Sequence, residues 1–352
     1  MDKVRIGFVG TGSMGQMAHL VNYVNIDECE VVALAEIRPK LRERIAGRYE
    51  VPNTYADHNE MFAAESLDDV VASQPFTRHA ILLPELFGQV KYLFTEKPLA
   101  VSVAAAEQLV ADADAAGCTH MVGYHKRSDP ATIYARKLID QWKAEGTYGP
   151  LKYVRVIMPA GDWEAAGRTN LLRSDEPLGE LEFEADQTGM PTDARNQYTR
   201  FVNYYIHQVN LMRHLLAEPY KVSFAEPSGV LMAVQSESGV AGTIEMSPYR
   251  TTIAWEESAL IAFEKAYIRL SLPAPLTRNR AGQVEVYTDP GEGAAPQRVI
   301  PTLPWVHAMR QQAINFVNVC RGEATPPCNS AEAVEDLKIA RDYIVMRDGV
   351  SL

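Results

Sequence analysis

Val4-Arg5-Ile6-Gly7-Phe8-Val9-Gly10-Thr11-Gly12-Ser13-Met14-Gly15 is the stretch from which the architecture follows. An apolar run short enough for a buried strand leads into glycines spaced G-x-G-x-x-G, and then into a helical pattern from Met14 to Tyr23. Gly10 permits a tight turn, Gly12 lets backbone approach a pyrophosphate, and Gly15 lets the helix pack closely on the strand. The N–H groups at the helix start then face the phosphates. A second apolar run, Val31 to Ala35, ends in Glu36 about twenty residues past the last glycine, where an acid can bond both ribose hydroxyls of an adenosine. A carboxylate there repels a 2′-phosphate, so NAD is expected and NADP is less favoured. Arg38 either meets a 2′-phosphate, should Glu36 turn away, or stands solvated at the start of the next helix.

Working outward, 352 residues with 47% hydrophobic content allow two domains with sizeable cores. A net charge of −11, without any run of lysine and arginine, excludes a nucleic-acid or anionic-membrane surface. Strand-like sequence from Val4 leaves no room for a signal peptide and no apolar run reaches the length of a membrane span, so a cytoplasmic location is expected. Cys29, Cys118, Cys320 and Cys328 lack C-x-x-C spacing and read as reduced thiols, with no metal expected.

From Glu36 to about residue 125 helical and strand patterns alternate: helices over Arg38 to Tyr49, Asp57 to Ala64, Thr77 to Phe87 and Val101 to Ala116, strands at Val70 to Ser73, Tyr92 to Phe94 and His120 to Val122. That alternation predicts a parallel, doubly wound sheet, a Rossmann dinucleotide-binding domain over residues 1–125. Its ligand should lie beyond the carboxyl ends of the strands. Cofactor contacts are therefore expected from Gly10, Gly12, Ser13, Met14, Gly15, Glu36, Arg38, Gln74, Pro75, His79, Glu96 and Lys97. Within Glu96-Lys97-Pro98, the proline biases Lys97 towards an extended conformation at a strand end. A lysine beside the nicotinamide can hydrogen-bond a substrate hydroxyl and favour its deprotonated form as hydride leaves.

After a helix over Asp129 to Glu145, the pattern changes at Gly149-Pro150. Period-two alternation over Leu151 to Met158, Val230 to Ser236, Val240 to Ser247, Thr252 to Phe263 and Ala266 to Leu272 predicts a second, α+β domain over residues 126–352 with a large, open, mostly antiparallel sheet. Two closing helices, Trp305 to Arg321 and Ser330 to Met346, follow a hairpin and loop over Arg278 to Gln297; the last helix could pack back on the first domain. Ala160 to Asn196 lacks periodicity, and so long a loop is usually functional or mobile; it could rim the substrate pocket or make a subunit contact. Tyr198 to Leu216 reads as one buried helix on which Asn203, His207, Asn210 and His214 fall in a single stripe. A buried polar stripe needs partners or a ligand, and His207, in mid-helix, is the candidate proton acceptor.

The glycine motif, Glu96-Lys97-Pro98, Gly123-Tyr124-His125-Lys126-Arg127 and the histidine-bearing helix resemble the glucose-fructose oxidoreductase, inositol dehydrogenase and MocA (Gfo/Idh/MocA) family over essentially the whole chain. The resemblance implies NAD(P)-linked oxidation or reduction of sugars, inositols or related polyols, and assembly as a homodimer or homotetramer. It also implies that Lys97 is the active-site lysine and His207 the acid/base histidine. Tyr124, His125, Asn203 and Asn210 would bind neighbouring hydroxyls, with Asn203 counted among the catalytic group. Many members carry aspartates where this chain has Asn203 and Asn210, together with an upstream glycine pair that is missing here. An amide orients an imidazole without stabilising the imidazolium, which shifts weight to Lys97 and leaves Asp186 or Glu184 as other sources of charge. Two further readings stay open: a redox-neutral epimerase or glycoside-cleaving enzyme using bound NAD, and a non-enzymatic NAD-binding sensor.

Overall fold

The first apolar run becomes strand β1 (Val4–Val9), almost wholly buried, and the glycines lead into helix α1 (Gly15–Leu20, continued by Val21–Tyr23). Residues 3–351 are described by the computed structural model. The first part of α1 is wound as a π-helix rather than an α-helix, a local widening that recurs at functional sites. Then follow β2 (Cys29–Ala35), α2 (Pro39–Tyr49), β3 (Asn53–Tyr55), α3 (His58–Ala64), β4 (Asp69–Ala72), α4 (His79–Phe87), β5 (Tyr92–Glu96), α5 (Val103–Ala116) and β6 (Thr119–Gly123). The starts of these helices follow from their sequence: Asp57 accepts the N–H of Glu60 and Ser102 that of Ala105, each supplying an acceptor to an unpaired amide of the first turn. The six strands are all parallel in the order β3-β2-β1-β4-β5-β6, so the strand order reverses between β1 and β4. That reversal opens a crevice at the carboxyl ends of the strands. Short β3 escaped the sequence reading because three residues are too few for a period to register.

The chain continues with α6 (Pro130–Glu145), β7 (Leu151–Ala160), α7 (Thr192–Tyr204), α8 (Ile206–Leu216), β8 (Tyr220–Ala225), β9 (Leu231–Ser236), β10 (Ala241–Arg250), β11 (Ser258–Phe263), β12 (Ala266–Ser271), β13 (Gln283–Thr288), β14 (Gln297–Val299), α9 (Ala308–Cys320) and α10 (Ser330–Asp348). The eight strands run β14-β13-β12-β11-β7-β10-β9-β8, antiparallel throughout except for β7 with β10. Helix α8 lies on β7 and β10, and α6 on β12 and β13.

Two compact units result. The first holds residues 1–124, 166–189 and 309–335; the second holds 125–165, 190–308 and 336–352. A single cut at 125/126 leaves the two later segments of the first unit with the wrong partner. The reason is apolar: on α9, Phe316 is fully buried against Tyr23 and Phe94, with ring centroids 6.5 and 5.6 Å apart. Truncating such a side chain costs roughly 3–5 kcal/mol.

Two elements differ from the periodicity. The helix expected over Tyr198 to Leu216 is two helices, interrupted at Tyr205, whose ψ of −4° departs from helical geometry. The Tyr205 hydroxyl is drawn to Ser247, which lies where β10 leaves its register with β7. The strand expected from Thr252 begins only at Ser258. Thr251 donates to the Ala160 carbonyl through its N–H and to the Ala254 carbonyl through its hydroxyl, turning the chain back on itself. No helix among the described residues is long and apolar enough to cross a membrane.

Candidate functional site

In the first unit each glycine of the opening motif has a distinct environment. Gly10 has φ +87°, and a Cβ there would sit 2.2 Å from Gln74 Nε2 and 2.8 Å from the Ser73 carbonyl oxygen. A Cβ on Gly15 would lie 2.9 Å from the Gly10 carbonyl oxygen, so the helix can approach the turn only without a side chain. A Cβ on Gly12 would meet nothing within 4 Å, which leaves an open backbone face of the kind a pyrophosphate requires. Gly10 and Gly12 line a cleft of about 340 Å³ together with Glu36, Ile37, Arg38, Gln74 and Pro75. The residues present thus fit a dinucleotide.

Glu36 is buried at the end of β2 and already engaged. Thr11 donates to it through its N–H at 3.2 Å and its hydroxyl at 3.1 Å, and Arg38 through Nε at 2.7 Å. Burial pushes this carboxyl up, but the hydrogen bonds and charge of Arg38, with Thr11, hold it below the usual range. The Arg38 guanidinium is paired with Glu36 rather than solvated. Ser13 is exposed and Met14 half-buried. His79 is buried with Nδ1 3.0 Å from the Leu99 carbonyl oxygen, and burial lowers its pKa to about 4, which makes it a neutral structural imidazole. Glu96 is held by His19 of α1 at 2.7 Å and accepts the Lys97 N–H at 3.2 Å; the Lys97–Pro98 peptide is cis. Burial raises the Glu96 pKa, yet the bond and charge of His19, followed by Lys97, bring it below normal.

The loop that sequence left unassigned is ordered against this cleft. Leu178 and Leu181 line it, and the Glu176 carboxylate accepts the N–H groups of Lys40 and Leu41 at the start of α2 at 2.9 and 3.0 Å.

In the second unit, the break at Tyr205 splits the polar stripe: Asn203 stands exposed on α7, whereas His207, Asn210 and His214 share α8. The rings of His207 and buried His125 meet edge to face, 4.7 Å apart. Arg127 Nε donates to Asn210 Oδ1 at 2.7 Å, Asn210 Nδ2 donates to Asp336 at 2.7 Å, and Arg213 Nε donates to the same fully buried carboxylate at 3.2 Å. Burial raises the Asp336 pKa, against the charges of Arg213 and Arg127. Beside this chain Lys126 pairs with buried Glu257, which also accepts from Gln208 Nε2 at 2.7 Å, and the lysine lies 5.7 Å from the Trp255 ring centroid. Asp129 caps α6 and accepts the Gly282 N–H at 3.0 Å; burial raises it to about 6. Tyr124 is buried at the end of the first unit.

Sequence reasoning named Lys126 only within Gly123-Tyr124-His125-Lys126-Arg127, without a role, and missed Gln208, Glu257 and Asp336. The available signals were weak: a basic pair directly after a strand, and an acid within a largely apolar alternation.

Residues 4–124 match the family model of the Gfo/Idh/MocA oxidoreductases with an NAD-binding Rossmann fold. Among curated relatives, inositol 2-dehydrogenase of Rhizobium meliloti is 33% identical over 156 residues, covering 44% of each chain. 4-Carboxy-2-hydroxymuconate-6-semialdehyde dehydrogenase of Sphingobium is 29% identical over 136 residues, 39% of this chain and 43% of that one. The match thus spans less than half the length of either relative. An oxidoreductase from Agrobacterium radiobacter, solved with NAD+, L-tartaric acid and magnesium, shares the fold with a TM-score of 0.70 at 14% identity, over 98% of this chain and 96% of that one.

Proposed function

We propose that this chain, which belongs to the Gfo/Idh/MocA family of oxidoreductases, moves a hydride between NAD and the carbon of a secondary hydroxyl in a sugar, inositol or related polyol. The observation that carries this reading lies within the first unit: a nucleotide cleft at the ends of β1, β2 and β4, with Lys97 directly after neighbouring β5. Bound NAD supplies the hydride acceptor. The Lys97 ammonium donates to the substrate oxygen and favours its alkoxide form as the carbon–hydrogen bond breaks. His207 takes the hydroxyl proton, and Tyr124, His125, Asn203 and Asn210 bind adjoining hydroxyls. In this reading Asp336, bonded to Asn210 and neutralised by Arg213, fixes the orientation of the amide rather than replacing the charge that position 210 lacks.

A cytoplasmic location accords with four cysteines that are all free thiols. Self-association as a homodimer or homotetramer would use the half-exposed face of the eight-stranded sheet, where Tyr267 and Tyr287 stack 5.2 Å apart.

The test follows nicotinamide absorbance with NAD, then NADP, across inositols, aldoses and sugar acids, beside Lys97→Ala. Reduction of NAD by one polyol, lost in the variant, is the expected result. Failure of both nucleotides to bind overturns the reading.

A further inference from the structure

We infer that residues 166–189 supply the adenine-binding wall of the nucleotide cleft, with Leu178 and Leu181 closing over the base, so that nucleotide leaves only when this strap lifts; the inference rests on the nucleotide reading above.

The strap is fastened on both sides of the cleft. On the α1–α2 side, Leu172 and the Gln16 side chain exchange two hydrogen bonds of 3.1 Å, Arg44 donates to the Arg173 carbonyl at 2.8 Å, and Arg48 to that of Asn170. Glu176 then receives the two amides at the start of α2 and is itself steadied by the Ser174 hydroxyl at 2.6 Å. On the far side, Arg78 donates to the Glu182 carbonyl at 3.1 Å, the Glu184 N–H to the Thr77 carbonyl at 2.7 Å, and the Val101 N–H to the Glu184 carboxylate at 3.3 Å. The residues between Glu176 and Glu182 therefore cross the cleft mouth, and both leucines among them line it.

Those leucines have an apolar surface that the protein does not cover. Leu178 is 49% exposed, and Ile37, directly after Glu36 and lining the same cleft, is 44% exposed. Large aliphatic side chains half in water on the walls of one cleft match the two faces of a flat heteroaromatic base. Glu36 at the end of β2 marks the ribose end, and the open face of Gly12 marks the phosphates, which leaves the Ile37–Leu178 space for adenine. At its ends the strap passes through left-handed backbone, Ala165 and Ala166 at φ +45° and +61° and Gly189 at φ +69°. These turns coincide with the boundaries between the two units and are the natural hinges.

The experiment uses the full chain, NADH and reduced nicotinamide mononucleotide, which lacks adenosine, as probes. Stopped-flow fluorescence compares the wild type with Leu178→Ser/Leu181→Ser and with Glu176→Gln. The double variant should release NADH about 10- to 100-fold faster, with mononucleotide binding unchanged, and Glu176→Gln should give a smaller acceleration of the same sign. Hydrogen exchange of the unaltered protein should show residues 176–184 protected when NADH binds. NADH release that is equally fast in all three proteins, or unchanged exchange in the strap, overturns the inference while leaving nucleotide binding intact. A wild type that binds no NADH overturns the reading beneath it.

Discussion

The nucleotide cleft of the first unit and the polar cluster around α8 in the second are both assembled from buried charged groups, but they spend those groups differently. In the first, carboxylates at strand ends are fixed by the glycine turn and the helix start beside them: Glu36 by Thr11 and Arg38, Glu96 by His19. Glycine backbone next to them leaves a cleft of about 340 Å³. In the second, the partners come from distant segments and satisfy one another: Lys126 with Glu257, Arg127 through Asn210 to Asp336, Arg213 with Asp336. A cleft keeps its recognition on the main chain, whereas a closed cluster binds its own elements together and holds the face of α8 that carries His207.

The comparison breaks most visibly if the cluster proves dispensable. Glu257→Ala leaves Lys126 buried without its carboxylate and should destabilise the protein by about 3–5 kcal/mol in urea denaturation, with NADH affinity unchanged. Next in size, Gly12→Ala should fold with an unaltered melting temperature, because the added Cβ meets no protein atom, yet weaken NADH binding about 100-fold, or ~2.7 kcal/mol, by titration calorimetry. Equal stability loss and equal binding loss in either variant would erase the distinction between the two regions.

Acid sharpens the contrast. Burial lowers the His79 pKa from its ordinary 6.5 to about 4, so the unfolded chain binds its proton more tightly; its contribution is present above pH 6.5 and lost as pH falls towards 4. From pH 7 to pH 5 that loss is about 2 kcal/mol and should vanish in His79→Gln. Asp129 runs the other way: raised from 3.8 to about 6, it favours the folded state as pH falls through 6, adding about 1 kcal/mol by pH 5, a gain that Asp129→Asn removes. Denaturant midpoints at pH 7 and pH 5 for the three proteins check both signs. The smallest effect concerns cofactor choice. Glu36→Gln removes the negative charge and releases Arg38 from its ion pair, and should shift the NADP-to-NAD affinity ratio by about fivefold, ~1 kcal/mol, towards NADP.

The first unit was largely legible because its signals are local. Gly10 needs its turn, Gly15 its close approach and Glu36 its place after β2 wherever the rest of the chain goes, and the strand–helix alternation sets a parallel sheet by chirality and loop length. The second unit was legible only as alternation. Period two announced β7, β9, β10 and β12, but nothing in Tyr198 to Leu216 discloses the interruption at Tyr205, whose hydroxyl meets Ser247 more than forty positions away. Asn203 stands exposed on the preceding helix, and Asn210 found Arg127 and Asp336, 83 and 126 positions distant.

The sequence by itself determined the dinucleotide turn, the preference for NAD and the two kinds of sheet, since each follows from steric and electrostatic demands between residues that are neighbours along the chain. Only the tertiary structure decided that 166–189 returns to line the nucleotide cleft, that α9 completes the first core, and which charges α8 meets. These depend on apolar surfaces finding cover and buried charges finding partners, and the pairings that satisfy both are made across space, where a linear pattern carries no record of them.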